Sequence, residues 1–167
     1  MTADVRFLRE AIKESKKSRD QGNDPFGAVL VNGGKIVARS GDISVKLSDP
    51  THHAELHLIS TYCRKNKIFS LEGYTLYTST EPCIMCSGAI HWSRISKVVF
   101  GVSQETLKTT SGGNRKPSCK QLLSYGGQQR IVIGPLLEDE AFQVLDGFVT
   151  SKLAKHTKMF SKKRNKT

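Results

Sequence analysis

The sequence predicts an α/β fold in which helices cover both faces of a mixed sheet, and three observations carry that expectation. Asn32-Gly33-Gly34 stands between two apolar runs and marks a hairpin, hence one antiparallel strand pair. Beyond it, strand-like and helix-like periods alternate, as parallel crossovers require. The 167 residues hold no internal repeat and suffice for one hydrophobic core.

In chain order, Val5, Leu8 and Ile12, with Phe7 and Ala11 beside them, recur at helical spacing and predict an N-terminal helix. Gln21-Gly22-Asn23-Asp24-Pro25 ends it. Residues 26–31 read as a buried strand and 35–39 as its hairpin partner, while 40–51 read as loop. Leu56, Leu58, Ile59 and Tyr62 make 54–62 an amphipathic helix opening at His53. Residues 74–80 alternate as a strand and stop at Glu81-Pro82; 84–92 form a short helix and 97–100 a further strand. The polar stretch 104–118, rich in Gly, Thr and Ser, reads as a surface loop. The last strand is expected at 130–133 and a final helix at 138–153.

Composition narrows the function classes. No run of about 18 apolar residues exists, so no membrane span is expected. The first twenty residues mix charges without an apolar stretch and are not expected to be a signal peptide. Four cysteines are too few for a disulfide scaffold, which points to a reducing, cytoplasmic setting. The net charge of +11 is concentrated in residues 151–167, which carry seven Lys or Arg and no acid and leave +4 for the rest. The chain thus divides into a domain over 1–150 and a basic tail over 151–167. The tail either binds RNA phosphates or is a solvated end.

Two short motifs carry chemistry: His53-Ala54-Glu55, and Pro82-Cys83-Ile84-Met85-Cys86 about thirty residues later. The pair H-x-E and P-C-x-x-C marks zinc nucleobase deaminases. The residue types explain why. Two thiolates and one imidazole, from Cys83, Cys86 and His53, give a zinc ion three ligands and leave the fourth tetrahedral position to water. Zinc brings the pKa of such a water to about 7. Both motifs open predicted helices, where the helix dipole favours thiolate. Glu55, two residues from His53, is placed to move protons rather than to ligate. A redox C-x-x-C would lack a reason for the upstream H-x-E. A structural zinc would want a fourth protein ligand, and His52 points elsewhere than its neighbour His53 on a helix or a strand. Cys63 and Cys119 are read as inert.

On these motifs, together with PFGAVLV (25–31), DPTHHAE (49–55), LYTSTEPCIMCSGAI (76–90) and SRISKVVFG (93–101), the chain resembles the cytidine-deaminase-like superfamily. The branch it looks like holds guanine deaminases, tRNA adenosine deaminases and fungal-type cytosine deaminases. The resemblance covers roughly residues 5–150. It implies a three-layer α/β/α sandwich around a mixed five-stranded sheet, and a homodimer or larger oligomer whose neighbours help close the pocket. It also implies hydrolytic replacement of an exocyclic amine by a carbonyl, with release of ammonia.

Within the branch the indications divide. Phe26 and Trp92 look like the enzymes of free bases and nucleosides, and with Ala54 they are the expected substrate contacts. The 93–101 run looks like the tRNA enzymes, although residues 108–113 only partly echo the Lys-Thr-Gly-Ala motif of that group. Asp42 stands where the branch has a base-contacting Asn, unless the loop is shifted by a residue. An ionised carboxylate accepts hydrogen bonds but cannot donate them. Facing a purine N7 or O6 it would set acceptor against acceptor, so the substrate is expected to present an N–H donor there unless Asp42 is protonated. The leading expectation, on Phe26 and Trp92, is a free purine base or nucleoside such as guanine. The alternatives are adenosine in a tRNA anticodon loop, with the tail on the RNA, and a catalytically silent zinc protein serving as a partner subunit, against which Glu55 argues.

Overall fold

The computed structural model describes residues 2–111, 117–125 and 130–148. Helix α1 (Ala3–Asp20) starts at Thr2, whose hydroxyl accepts the Val5 N–H, and buries Phe7, Leu8, Ala11 and Ile12 along one stripe. Strands β1 (Gly27–Asn32) and β2 (Lys35–Gly41) are joined through Gly33 and Gly34, both at positive φ as a two-residue hairpin turn needs.

β1 lies between β2 and β3 (Thr75–Thr80), antiparallel to both. β3, β4 (Lys97–Val102) and β5 (Ile131–Ile133) are parallel, giving the order β2-β1-β3-β4-β5. Strand alternation divides the core. Val29, Val31, Tyr77 and Val99 meet α1 and α7 (Glu138–Phe142) on one face. Ala28, Leu30, Leu76 and Val98 meet α3 (Ala54–Asn66), α4 (Ile84–Trp92) and α6 (Cys119–Ser124) on the other. The mixed α/β/α sandwich expected from the resemblance is the observed fold. Only glycine fits at position 27: a Cβ there would come within 2.2 Å of the Ser15 nitrogen, so α1 could not rest on the start of β1.

Four local readings change. Residues 40–51 are not all loop: β2 runs to Gly41 and a single turn, α2, spans Ser44–Leu47. The polar stretch from residue 104 opens as helix α5 (Gln104–Ser111), and α6 follows where no helix was expected. Thr and Ser lower helix propensity but do not forbid a helix whose N-terminus is capped by tertiary contacts. The final helix is broken: α7 stops at Phe142, a 3₁₀ turn covers Gln143–Leu145, and Gly147 at φ 76° redirects the chain. Its predicted continuation to 153 and the basic tail lie outside the described residues. Among those described, no helix is long and apolar enough to cross a membrane.

The register decides what meets at the sheet's end. Ala28 pairs with Thr78 and Gly27 with Gly41. Phe26, Asp42 and the Glu81–Cys83 turn therefore share one edge, at the carboxyl ends of the parallel strands, where open α/β sheets bind ligands.

Candidate metal centre

His53 is the N-cap of α3, Cys83 the N-cap of α4, and Cys86 lies in the first turn of α4. Leu58 and Ile59 of α3, and Ile90 of α4, bury against the same sheet face, which brings the two helix starts together. Cys83 Sγ is 3.6 Å and Cys86 Sγ 3.8 Å from His53 Nδ1, and the three ligand atoms lie within 4.8 Å of one another. A tetrahedral zinc with bonds of about 2.3 Å to sulfur and 2.0–2.1 Å to nitrogen needs S···N separations of about 3.6 Å. The three side chains are thus spaced for such an ion.

Their protonation fits a site made for a cation. A hydrogen bond from the Cys86 thiol, reinforced by His53, holds the Cys83 thiol down at about 4. The same pairing with Cys83, and then burial, pushes Cys86 up. The hydrogen bond with Cys83 also raises His53 against the opposing effect of burial. Without metal, the Cys86 proton stays beside the Cys83 thiolate; a bound cation would displace it.

Glu55 is buried at the start of α3. Its Oε1 accepts the Thr78 hydroxyl at 2.7 Å, and its Oε2 lies 3.5 Å from Cys86 Sγ. Burial raises its pKa, and the Thr78 hydrogen bond partly opposes this. Thr78 was not anticipated. Two residues on from core-facing Leu76, it shares that face of β3, and strand alternation alone could have found it.

The other candidates separate. Asp42 is 1% exposed and donates its N–H to the Phe26 carbonyl at 2.9 Å. Its Oδ1 accepts the Ser44 N–H and hydroxyl, while its buried Oδ2 has no partner among the described residues. Its charge is near enough to contribute to the raised pKa of His53. Phe26 packs edge-on against Phe148, with ring centroids 5.5 Å apart. Ala54 is wholly buried in the apolar cluster behind the centre. Trp92 is not brought to the cluster: it ends α4, nine residues beyond Cys83 and thus about 13 Å along the axis, and is 75% exposed. His52 lies with its Nδ1 2.9 Å from Asp49 Oδ2, outside the metal group. Cys119 is buried at the start of α6, and burial holds its thiol up at about 12.

The comparisons with known proteins agree with this chemistry. A family model for the cytidine and deoxycytidylate deaminase zinc-binding region matches residues 1–102. A probable cytosine deaminase of Schizosaccharomyces pombe is 41% identical over 150 residues, covering 87% of this chain and 91% of that one. The tRNA-specific adenosine deaminase of Bacillus subtilis is 46% identical over 151 residues, covering 89% of each. A solved structure from work on A-to-I editing by tRNA:A34 deaminases at the wobble position superposes with a TM-score of 0.71 at 29% identity, covering 84% of this chain and 99% of that one.

Proposed function

Because the chain belongs to the cytidine and deoxycytidylate deaminase zinc-binding family and is a hydrolytic deaminase, we propose that it converts adenosine to inosine in an RNA loop. The observation that carries this reading is the position of Phe148. It packs on Phe26, whose carbonyl holds Asp42, and in the sequence residues 149–167 come next after it. That segment contains all seven basic residues of the tail. Phosphates of a loop entering the site would meet those charges while the unstacked base reaches Glu55.

In this reading His53, Cys83 and Cys86 hold the ion, and bound zinc supplies a Lewis acid that makes hydroxide available at neutral pH. Glu55 takes a proton from the attacking water and returns it to the ring nitrogen beside the amine. It then delivers the second proton to the amine, so the C–N bond breaks as ammonia leaves and a carbonyl remains. Thr78 keeps the carboxylate aimed.

Asp42 favours a second reading. Its unpartnered Oδ2 can only accept while ionised. Adenine and cytosine flank the amine-bearing carbon with a ring acceptor, whereas guanine also offers a ring N–H. A free guanine-type base would therefore suit Asp42 better than adenosine, which would leave acceptor against acceptor and cost about 1–3 kcal/mol.

Ammonia release from guanine, adenosine, cytosine and an anticodon stem-loop, by the wild type and by Asp42→Asn, separates the two. The RNA reading expects the stem-loop to be turned over at least about tenfold faster than free adenosine, since contacts remote from the base add to transition-state binding. It also expects removal of residues 151–167 to lower the salt slope of RNA binding by several units, roughly one per lost cation. Turnover of guanine alone, lost in Asp42→Asn, would establish the second reading instead.

We also propose a homodimer. Ile84, Trp92 and Tyr125 expose large apolar surface on and beside α4 and α6, with Leu122 in the groove between the two helices. A second copy of the chain would cover that face. Light scattering at micromolar concentration should give twice the monomer mass; a monomeric mass would refute it.

A further inference from the structure

Glu81 is buried between the end of β3 and Pro82, two residues before Cys83, and all four of its polar groups are engaged. Its N–H donates to the Val102 carbonyl at 2.7 Å, and its carbonyl accepts from Gln104 Nε2 at 2.8 Å. Its carboxylate bridges two helices: Oε2 accepts the Gln104 N–H at 2.8 Å and Oε1 the Cys119 N–H at 2.7 Å. Gln104 and Cys119 are the first residues of α5 and α6, where N–H groups lack intrahelical partners and the dipole is positive.

That bridge is directed at the metal centre. The intervening residue is a proline, whose fixed φ removes a torsion between Glu81 and Cys83, so displacement of Glu81 passes to Cys83. The Cys83 side is also tied from α4: Ser87 donates its N–H to the Cys83 carbonyl at 2.8 Å and its hydroxyl to the Pro82 carbonyl at 3.3 Å. α6 packs on α4, with Cys119 wholly buried between them and the sheet. His53 comes to the centre separately, at the head of α3. The separation between His53 and Cys83 therefore depends on where the Glu81–Cys83 turn is anchored, and α5 and α6 are the anchor. The carboxylate is not itself a metal ligand, because it lies outside the group of three and both its oxygens are taken.

We infer that Glu81 is a positioning residue of the metal centre: by tying the starts of α5 and α6 to the turn before Cys83, it sets Cys83 at the distance from His53 that a tetrahedral ion needs. This rests on the zinc reading of the site, and the test keeps the two apart.

Zinc affinity is measured by competition with a chromophoric chelator, alongside a circular-dichroism melt, for the full chain, Glu81→Gln and Thr2→Ala. Glutamine keeps the length but turns an NH₂ toward one of the two amide N–H groups, so one arm of the bridge opens. The expected result is a 10–100-fold weaker zinc affinity for folded Glu81→Gln, the loss typical when a group that orients a ligand is removed. Thr2→Ala loses the α1 cap, the Val5 N–H to Thr2 Oγ1 bond, and leaves α5, α6 and Glu81 untouched. It should lower the melting temperature and leave zinc affinity unchanged. If Glu81→Gln fails to fold, Glu81→Asp, which retains the charge one methylene short, should still bind zinc measurably more weakly than the wild type.

A folded Glu81 variant that binds zinc within about twofold of the wild type overturns the inference. So does Thr2→Ala weakening zinc as much as Glu81→Gln, because overall stability alone would then explain the loss. Failure of the wild-type chain to bind zinc overturns the reading of the site and Glu81's role with it.

Discussion

Glu55→Gln should fold, keep its zinc and lose about 10²–10⁴ in turnover. The amide matches the carboxylate in volume, so the buried position is filled without a cavity, and Gln Oε1 can still accept the Thr78 hydroxyl. What is lost is the capacity to take a proton and hand it on. Metal content by atomic absorption and single-turnover rates measure the two halves separately; a zinc-loaded variant with near wild-type turnover would remove Glu55 from the chemistry. The pH dependence has a definite sign. Burial raises the Glu55 pKa and the Thr78 hydrogen bond lowers it in part, while only the ionised form can act as base. Turnover should therefore fall as pH drops through a value above the ordinary carboxylate range. Thr78→Val removes the opposing hydrogen bond and should move that acid limb to higher pH. A limb that moves to lower pH, or does not move, would contradict the assignment.

The second large effect is on the metal. Dialysis against a chelator should abolish turnover, and stoichiometric zinc should restore it, because His53, Cys83 and Cys86 are the one metal-binding group found among the described residues. The affinity should carry a proton signature. Cys83, held down at about 4, is already a thiolate at neutral pH, whereas Cys86 is shifted up and holds a proton that zinc must displace, and His53, also shifted up, takes one as pH falls. Each displaced proton makes binding about tenfold weaker per unit of falling pH. Competition titrations should show roughly that slope near pH 8, steepening toward about a hundredfold per unit as His53 becomes protonated at lower pH. An affinity flat between pH 6 and 8 would mean that these ligand protonation states are wrong.

Residues 53 to 86 show how much of the site was legible in the chain. H-x-E and P-C-x-x-C are short-range patterns at helix starts, and a helix start imposes its own geometry. The N-cap positions of His53 and Cys83 therefore follow from local sequence. Thr78 was accessible in principle through strand alternation but stood out by no motif. Glu81 gave no sign of its two helix contacts, because residues 104–118 read as polar loop and the partners of its carboxylate are 23 and 38 positions away. Trp92 shows what helix length adds. Its motif neighbours suggested a substrate contact, and the length of α4 places it at the exposed end of that helix, away from this chain's cysteines.

By itself the sequence determined the α/β class, the hairpin, the two helix starts and hence the metal chemistry, because periodicity, turn residues and capping act over a few positions. Only the tertiary structure decided what surrounds that chemistry. The antiparallel register of β1 with β2 and β3 brought Phe26 and Asp42 to the edge where the cysteines stand. The packing of α6 on α4 turned Glu81 into an anchor, and the turn at Gly147 laid Phe148 on Phe26. These are pairings between distant segments, fixed by burial and hydrogen-bond satisfaction across the sheet, and no local pattern encodes them.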